Sequence, residues 1–73
     1  MWCQSTVLIN TDDGKRYVRA QIFSDTAPNT MPTNGSGIEG LNGDDILEKG
    51  STFYVVGNGK LYMLNSQGTW VQQ

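Results

Sequence analysis

The order of apolar and polar residues predicts a β-hairpin near the start of the chain. Residues 15–23 follow a period of two, in which the polar Arg19 and Gln21 separate the apolar positions 18, 20 and 22, as is typical of a strand with one buried face. The predicted core side of this strand carries Val18, Ala20 and Ile22. Residues 4–10 are uncharged and rich in β-branched side chains, so they predict the partner strand. An Asp-Asp-Gly turn between the two runs closes a hairpin over residues 4–23.

The same kind of pattern predicts a three-stranded antiparallel meander over residues 51–73. Its strands are predicted at residues 52–56, 60–64 and 69–72. The first two strands are separated by Gly57-Asn58-Gly59, which contains Asn-Gly, the preferred pair for a two-residue type I′ turn. A second turn, rich in polar residues and ending in glycine, separates the last two.

A long irregular segment, residues 24–50 (the arm), separates the hairpin from the meander. It contains both prolines, and its first 20 residues hold four of the nine glycines. Three large aliphatic side chains are predicted to pin it to the rest of the protein. They are Met31, Ile38 and Leu41. Residues 44–49 begin with two aspartates and precede Gly50, a pattern that predicts one helical turn.

The predicted fold is therefore a single all-β domain over residues 1–73. We expect a small antiparallel sheet or sandwich in which the arm joins the hairpin to the meander. Strands 52–56 and 60–64 are apolar on both faces, whereas a sheet with one face in water has one polar face. The sheet is therefore expected to be covered twice, once by the hairpin. The second cover is either another subunit, which we favour, or the arm of the same chain.

Length and composition also favour a partner chain. The chain has 73 residues, of which Gly, Ser, Thr and Asn supply 27. Hydrophobic burial barely offsets chain entropy in domains this short, so natural ones rely on disulfides, a metal or a partner. Cys3 is the only cysteine and histidine is absent, which excludes an internal disulfide and a Cys/His zinc site. We therefore expect a homo-oligomer.

Charge and hydropathy exclude two further classes of partner. The net charge is −2, and the five Lys and Arg residues form no extended cluster, so no nucleic-acid partner is expected. No apolar run approaches the ~20 residues of a membrane-spanning helix, and no membrane partner is expected. The first residues lack the pattern of a signal peptide, so we expect synthesis in the cytoplasm.

The sequence offers no catalytic or metal-binding constellation. Without histidine the usual general base is missing, and Cys3 has no evident activating partner. The acidic residues before Gly14 miss the calcium-loop spacing, because this glycine stands where a ligand should be. The letters Gly-x-Gly-x-x-Gly at residues 35–40 lack the flanking strand and helix of a phosphate loop. We therefore predict a protein that is not an enzyme and has no cofactor or metal.

Three aromatic residues are the remaining candidates for a binding site. Tyr54, Tyr62 and Trp70 lie on consecutive strands of the predicted meander and are expected to form a cross-strand row. Such rows mostly pack strands or subunits together. In some lectin-like modules they bind sugars, which leaves a small carbohydrate- or ligand-binding module as the alternative function.

Four short segments together cover much of the chain after the hairpin. Residues 50–56 read Gly-Ser-Thr-Phe-Tyr-Val-Val, with Leu-Tyr-Met-Leu at 61–64 and Gly-Thr-Trp at 68–70. Residues 31–40 read Met-Pro-Thr-Asn-Gly-Ser-Gly-Ile-Glu-Gly. Together these segments resemble small virion-associated structural proteins of tailed bacteriophages and prophages of Gram-positive bacteria.

The resemblance implies a non-enzymatic structural role in a virion, as a capsid decoration protein, a head-fibre base or a tail accessory. It implies capsid or tail subunits as partners and synthesis in the cytoplasm of a bacterial host, and it supplies no catalytic residues. Together with the two apolar faces, it predicts an interface formed by the arm and the meander. The predicted interface residues are Met31, Pro32, Ile38, Leu41, Phe53, Tyr54, Tyr62, Leu64 and Trp70. A regulatory inhibitor that adds a strand to a host protein is a third hypothesis.

Overall fold

Six β-strands form one mixed sheet in the computed structural model, which describes residues 1–73. The strands are β1 (Trp2–Asp12), β2 (Lys15–Ser24), β3 (Ile46–Leu47), β4 (Thr52–Val55), β5 (Lys60–Leu64) and β6 (Trp70–Gln72). Their spatial order is β1-β2-β4-β5-β6, and β3 also pairs with β2. The all-β prediction is confirmed. The chain has no helix that would reach across a membrane.

The N-terminal hairpin forms as predicted. β1 pairs antiparallel with β2 over nearly the whole length of both strands. Asp13 (φ 52°) and Gly14 (φ 75°) both adopt the left-handed backbone that a two-residue type I′ turn requires. The three residues predicted to face the core are all buried: Val18, Ala20 and Ile22.

The hairpin extends the meander's sheet edge to edge and covers neither of its faces. β2 runs parallel to β4, with Ile22 beside Phe53. Parallel neighbours need a long crossover connection, and the arm supplies it. The expectation of an antiparallel sheet or sandwich is confirmed as to the single sheet and corrected as to its direction, because the long arm lets β2 and β4 pair in parallel.

Residues 44–49 do not form the predicted helical turn. Ile46 and Leu47 form β3 instead, and Leu47 is buried beside Val18 of β2. A single helical turn fixes several residues for one backbone hydrogen bond, so pairing with an existing strand is preferred. β3 and β4 therefore follow one another along the same edge of β2.

Ser51 bridges the interruption between β3 and β4. Its side chain is fully buried, and its hydroxyl donates to the Glu48 carbonyl oxygen at 2.8 Å. The same hydroxyl accepts the Ala20 N–H of β2 at 3.2 Å. A buried N–H without a partner is costly, so this serine replaces the strand hydrogen bond that the interruption removes.

The antiparallel meander is confirmed, but its first turn differs from the prediction. Val55 pairs with Lys60, so four residues connect β4 to β5 instead of two. Gly59 has a positive φ of 72°, and its N–H donates to the Val55 carbonyl oxygen at 2.8 Å. Asn58 has no positive φ, so the turn is not type I′.

The parallel neighbour of β4 accounts for the longer turn. The N–H groups of Val56 and Gly57 donate to the carbonyl oxygens of Ser24 and Asp25, at 2.8 and 3.0 Å. These bonds continue the pairing of β2 with β4 beyond the end of both strands. Val56 and Gly57 are therefore held towards β2 and do not join the ladder with β5.

The core lies between the arm and the inner face of the sheet, the face from which Val18, Ala20 and Ile22 project. Its buried apolar residues are Val18, Ala20, Ile22, Ile38, Leu47, Phe53, Val55 and Leu64. The predicted pinning of the arm is confirmed, since Ile38 is buried while Met31 and Leu41 pack against the core. The indole N–H of Trp70 donates to the Pro32 carbonyl oxygen at 2.8 Å. The arm therefore covers its own sheet.

One ion pair fastens the arm to the distal half of the hairpin. Arg16 Nε donates to Asp45 Oδ1 at 2.9 Å. The Asp45 side chain is only 3% exposed, and its main-chain carbonyl oxygen accepts the Gly35 N–H at 2.8 Å. A carboxylate at this depth needs such a partner, so the guanidinium and the buried aspartate link β2 to the arm.

Gly35 lies at a crossing of two stretches of the arm. A Cβ added there would overlap the carbonyl oxygen of Asn42. We expect Gly35→Ala to lower the free energy of unfolding by about 1–3 kcal/mol, because backbone atoms must shift to admit the methyl group. Urea denaturation followed by tryptophan fluorescence measures this loss.

Gly43→Ala is the matched control for the crossing. Nothing lies within 4 Å of a Cβ at this position, and its φ is not positive. We expect the free energy of unfolding to stay unchanged or to rise by about 0.5 kcal/mol. Equal losses in the two variants would show that Gly35 is not a point of close approach.

Candidate functional site

The two faces of the sheet have different surroundings. The arm covers the inner face, where the strand residues are buried. The outer face carries the alternate residues of the same strands, and its apolar side chains are half-buried or exposed. The fold leaves this outer face uncovered, and it is the candidate functional site.

A row of three aromatic residues crosses the outer face. Trp2 of β1 pairs with Phe23 of β2, which pairs with Tyr54 of β4. The Trp2 and Phe23 rings are stacked, with centroids 5.8 Å apart and planes at 15°. Phe23 and Tyr54 meet edge to face, with centroids 6.0 Å apart and planes at 71°. Leu61 of β5 pairs with Tyr54 and prolongs the row.

A second row runs beside the aromatic one. It is formed by paired residues of five strands: Ser5, Gln21, Thr52, Met63 and Val71. Its apolar members, Met63 and Val71, are 40% and 43% exposed. The first row is therefore apolar from β1 to β5, whereas the second is polar on β1, β2 and β4 and apolar only on β5 and β6.

The free edge of β1 is the second uncovered feature. The Cys3 N–H donates to the Glu39 carbonyl oxygen at 2.7 Å, and beyond this point no other segment pairs with the edge. The side chains around Leu8 are exposed, and Val7 is the most exposed of them at 57%. Bulges interrupt the pairing of β1 with β2 on both sides of residues 5–8.

The predicted row of Tyr54, Tyr62 and Trp70 does not form. Tyr54 projects from the outer face, whereas Tyr62 pairs with the buried Phe53 and lies on the inner face with Trp70. The reason is the length of the turn between β4 and β5. A turn of two or four residues pairs even-numbered with odd-numbered positions, so residues 54 and 62 cannot share a face. The predicted two-residue turn already implies that residues 54 and 62 lie on opposite faces.

Most of the predicted interface residues belong to the chain's own core. Ile38, Phe53 and Leu64 are buried, which removes them from contact with a partner. Met31, Leu41, Tyr62 and Trp70 pack against that core, and Pro32 is half-buried beside them. Tyr54 alone lies on the outer face. The prediction for the three buried residues is corrected by the arm, which supplies the cover that was expected from another subunit.

The outer-face residues that the prediction missed carry a detectable signal. Phe23 stands on the opposite side of the alternating strand from Ile22, so its outward position follows from the period of two. Trp2 lies before the predicted first strand, and only the observed start of β1 brings it opposite Phe23. Met63 and Val71 join them through the register of the meander.

The remaining polar groups form no concentrated reactive centre. No three His, Cys, Asp or Glu side chains come together, and the surface has no enclosed pocket. Cys3 is a half-buried free thiol whose sulfur lies 3.0 Å from the Ser5 carbonyl oxygen. Comparison with protein-family models, curated proteins and solved structures found no match to this chain.

Proposed function

We propose that this chain is a non-enzymatic structural protein that assembles with protein subunits, including copies of itself, through the outer face. The observation that carries the proposal is the uncovered row of Trp2, Phe23 and Tyr54 with the exposed apolar residues beside it. The resemblance of residues 31–40 and 50–70 to phage proteins makes a virion the proposed assembly. The role there is that of a capsid decoration protein, a head-fibre base or a tail accessory.

The composition of the outer face favours burial against protein. A sheet with one face in water usually carries polar residues on that face. Here Met63 and Val71 stay at least 40% exposed next to the aromatic row. Exposed apolar patches with a polar rim mark interaction sites, and aromatic residues and methionine are enriched in interfaces.

The ring orientations favour a protein partner over a sugar. A sugar stacks on the open flat face of an aromatic ring. Trp2 and Phe23 turn their flat faces towards each other, and Tyr54 meets Phe23 edge to face. The carbohydrate-binding alternative also loses the residues on which it was based, because Tyr62 and Trp70 lie on the inner face.

The bulged edge of β1 makes strand addition the weaker alternative. An inhibitor that adds a strand to its target needs a regular row of free N–H and C=O groups. The pairing of β1 shifts register between Cys3 and Ser5 and again between Leu8 and Asn10. Bulges of this kind twist an edge strand away from regular pairing. The outer face is therefore the proposed contact surface.

Light scattering on material eluting from size exclusion, over a range of concentrations, tests self-assembly. We expect an oligomer in the unaltered protein and weaker association in Val71→Lys, because a charge would be buried in the contact. A loss of at least about tenfold in association constant corresponds to about 1.4 kcal/mol. Gln72→Lys is the matched control, since it adds the same charge one residue away on the opposite face of β6.

The controls separate the possible results. Circular dichroism should show the same fold in both lysine variants, since both positions are exposed. A protein that is monomeric at all concentrations would contradict self-assembly. Equal association in Val71→Lys and the unaltered protein would show that the outer face is not the contact. Weaker association in Gln72→Lys alone would place the contact on the other side of the sheet.

The position of the gene tests the virion part of the proposal separately. We expect genes for capsid, portal or tail proteins beside it. A neighbourhood without phage structural genes would contradict a virion role while leaving assembly through the outer face intact.

A further inference from the structure

Three Asn-Gly dipeptides occur in this chain, at Asn34-Gly35, Asn42-Gly43 and Asn58-Gly59. Asparagine is thermolabile, and a following glycine favours its deamidation because no side chain hinders the attacking nitrogen. All three asparagines are exposed, so solvent access does not distinguish them. Their hydrogen bonds do.

At Asn34 and Asn58, hydrogen bonds hold both groups that react in deamidation: the side-chain amide of the asparagine and the backbone N–H of the following glycine. The Gly35 N–H donates to the Asp45 carbonyl oxygen at 2.8 Å, and the Asn34 side-chain oxygen accepts the Ser36 N–H at 3.0 Å. At the other site the Gly59 N–H donates to Val55 and the Asn58 side-chain oxygen accepts from the following strand. At each site, both hydrogen bonds must break before the backbone nitrogen of the glycine can reach Cγ of the asparagine.

At Asn42 neither of these two groups is held by a hydrogen bond. Its side chain makes no hydrogen bond within the protein, and the Gly43 N–H has no protein acceptor. Nothing lies within 4 Å of the Cβ position of Gly43, so the surroundings leave room for the backbone to move. We propose that Asn42 is a site of spontaneous deamidation in the folded protein, whereas Asn34 and Asn58 are protected by the fold.

The reaction needs only water. The Gly43 backbone nitrogen attacks Cγ of Asn42, and the bond from Cγ to the side-chain nitrogen breaks. Ammonia leaves with the proton that the Gly43 nitrogen gives up, and a five-membered succinimide remains. Water then opens one of the two ring carbonyls, which gives aspartate or isoaspartate at position 42.

The isoaspartate product changes the crossing in the arm. The main-chain carbonyl oxygen of Asn42 accepts the Asp45 N–H at 3.0 Å and lies against Gly35. In isoaspartate the chain continues through the side-chain carbon, so this carbonyl becomes a free carboxylate. The new negative charge then lies where the Asn42 carbonyl oxygen accepts the Asp45 N–H, close to the Asp45 carboxylate that pairs with Arg16. The modification therefore acts on the junction between the arm and β2.

Peptide mapping by mass spectrometry of protein aged in mildly alkaline buffer tests the proposal. In the folded protein we expect deamidation at Asn42 to be at least about tenfold faster than at Asn34 or Asn58, since each protected site must break two hydrogen bonds of about 1 kcal/mol. In concentrated urea the three rates should become similar. Gly43→Ala should slow the reaction at Asn42 alone and leave the fold unchanged.

Two results would overturn the proposal. One is a rate at Asn34 or Asn58 that equals or exceeds the rate at Asn42 in the folded protein. The other is an absence of product at Asn42 in the folded protein over a period in which the urea-unfolded chain reacts at all three sites. An unchanged rate at Asn42 in Gly43→Ala would likewise exclude attack by the nitrogen of residue 43.

Discussion

Phe53→Ala is expected to lower the free energy of unfolding by about 3–5 kcal/mol, the range for removing a large aromatic side chain from a core. Phe53 is completely buried in the middle of the sheet, and its ring meets that of Trp70 edge to face, with centroids 6.1 Å apart. Domains of this size have a total stability of about 4–11 kcal/mol. The substitution therefore leaves a barely folded protein, and urea denaturation measures the shift in midpoint.

Tyr54→Ala is the matched control in the same strand. Tyr54 is half-buried on the outer face, and its aromatic neighbour there is Phe23. We expect a loss of only about 1–2 kcal/mol, because less surface is buried and no enclosed cavity is left. The reverse order, with the larger loss at Tyr54, would place the core on the wrong side of the sheet. A stable monomer of Phe53→Ala would show that this ring serves an interface.

Phe53 and Tyr54 lie on opposite faces of β4, and they show how far the local sequence pattern determines the fold. The strict alternation around Val18 and Ile22 reports a strand with one buried face, and the structure confirms it. The meander is confirmed for the same reason, because its turns and strands are local. Phe53 and Tyr54 belong to a run that is apolar on both sides, so the run alone does not say which side is buried.

The pairing of β2 with β4 is the feature that local pattern does not contain. Residues 21–24 and 52–55 are far apart in the sequence, and nothing in either run indicates a parallel partner. That pairing turns the hairpin into part of the same sheet and leaves the arm to cover the inner face. The outer face was therefore predicted as an uncovered apolar face, but its residues were assigned mainly from the wrong side. Of the predicted interface residues, only Tyr54 lies on the outer face.

Ser51 is a second case in which the local sequence does not reveal a contact between distant segments. Its full burial and its bond to the Ala20 N–H follow from the break between β3 and β4 along one edge of β2. A serine beside a glycine reads as part of a turn when only its neighbours in the chain are considered. Its role becomes visible only when β2 is known to lie alongside.

Deleting residues 26–40 is expected to abolish cooperative folding. β3 begins beside Tyr17, seven residues before Ser24, so the chain must return about 23 Å after leaving β2. Six residues would remain between Ser24 and Ile46, and the seven Cα–Cα steps from one to the other reach only about 24 Å when fully extended. The direct path along β2 is already occupied by β4. The deletion also removes Ile38 from the core and the Pro32 carbonyl that holds Trp70.

Two further variants separate the loss of chain length from the loss of burial. Replacing residues 26–40 by a Gly/Ser segment of equal length restores the reach but not Ile38, and we expect it to stay unfolded because the inner face is left open. Serine at Thr26, Asn29 and Thr30 keeps every buried group of the arm, since these positions are exposed, and should preserve the melting transition. If the Gly/Ser variant melted like the unaltered protein, the arm would be only a tether. The inner face would then be free for another subunit, as the sequence had led us to expect.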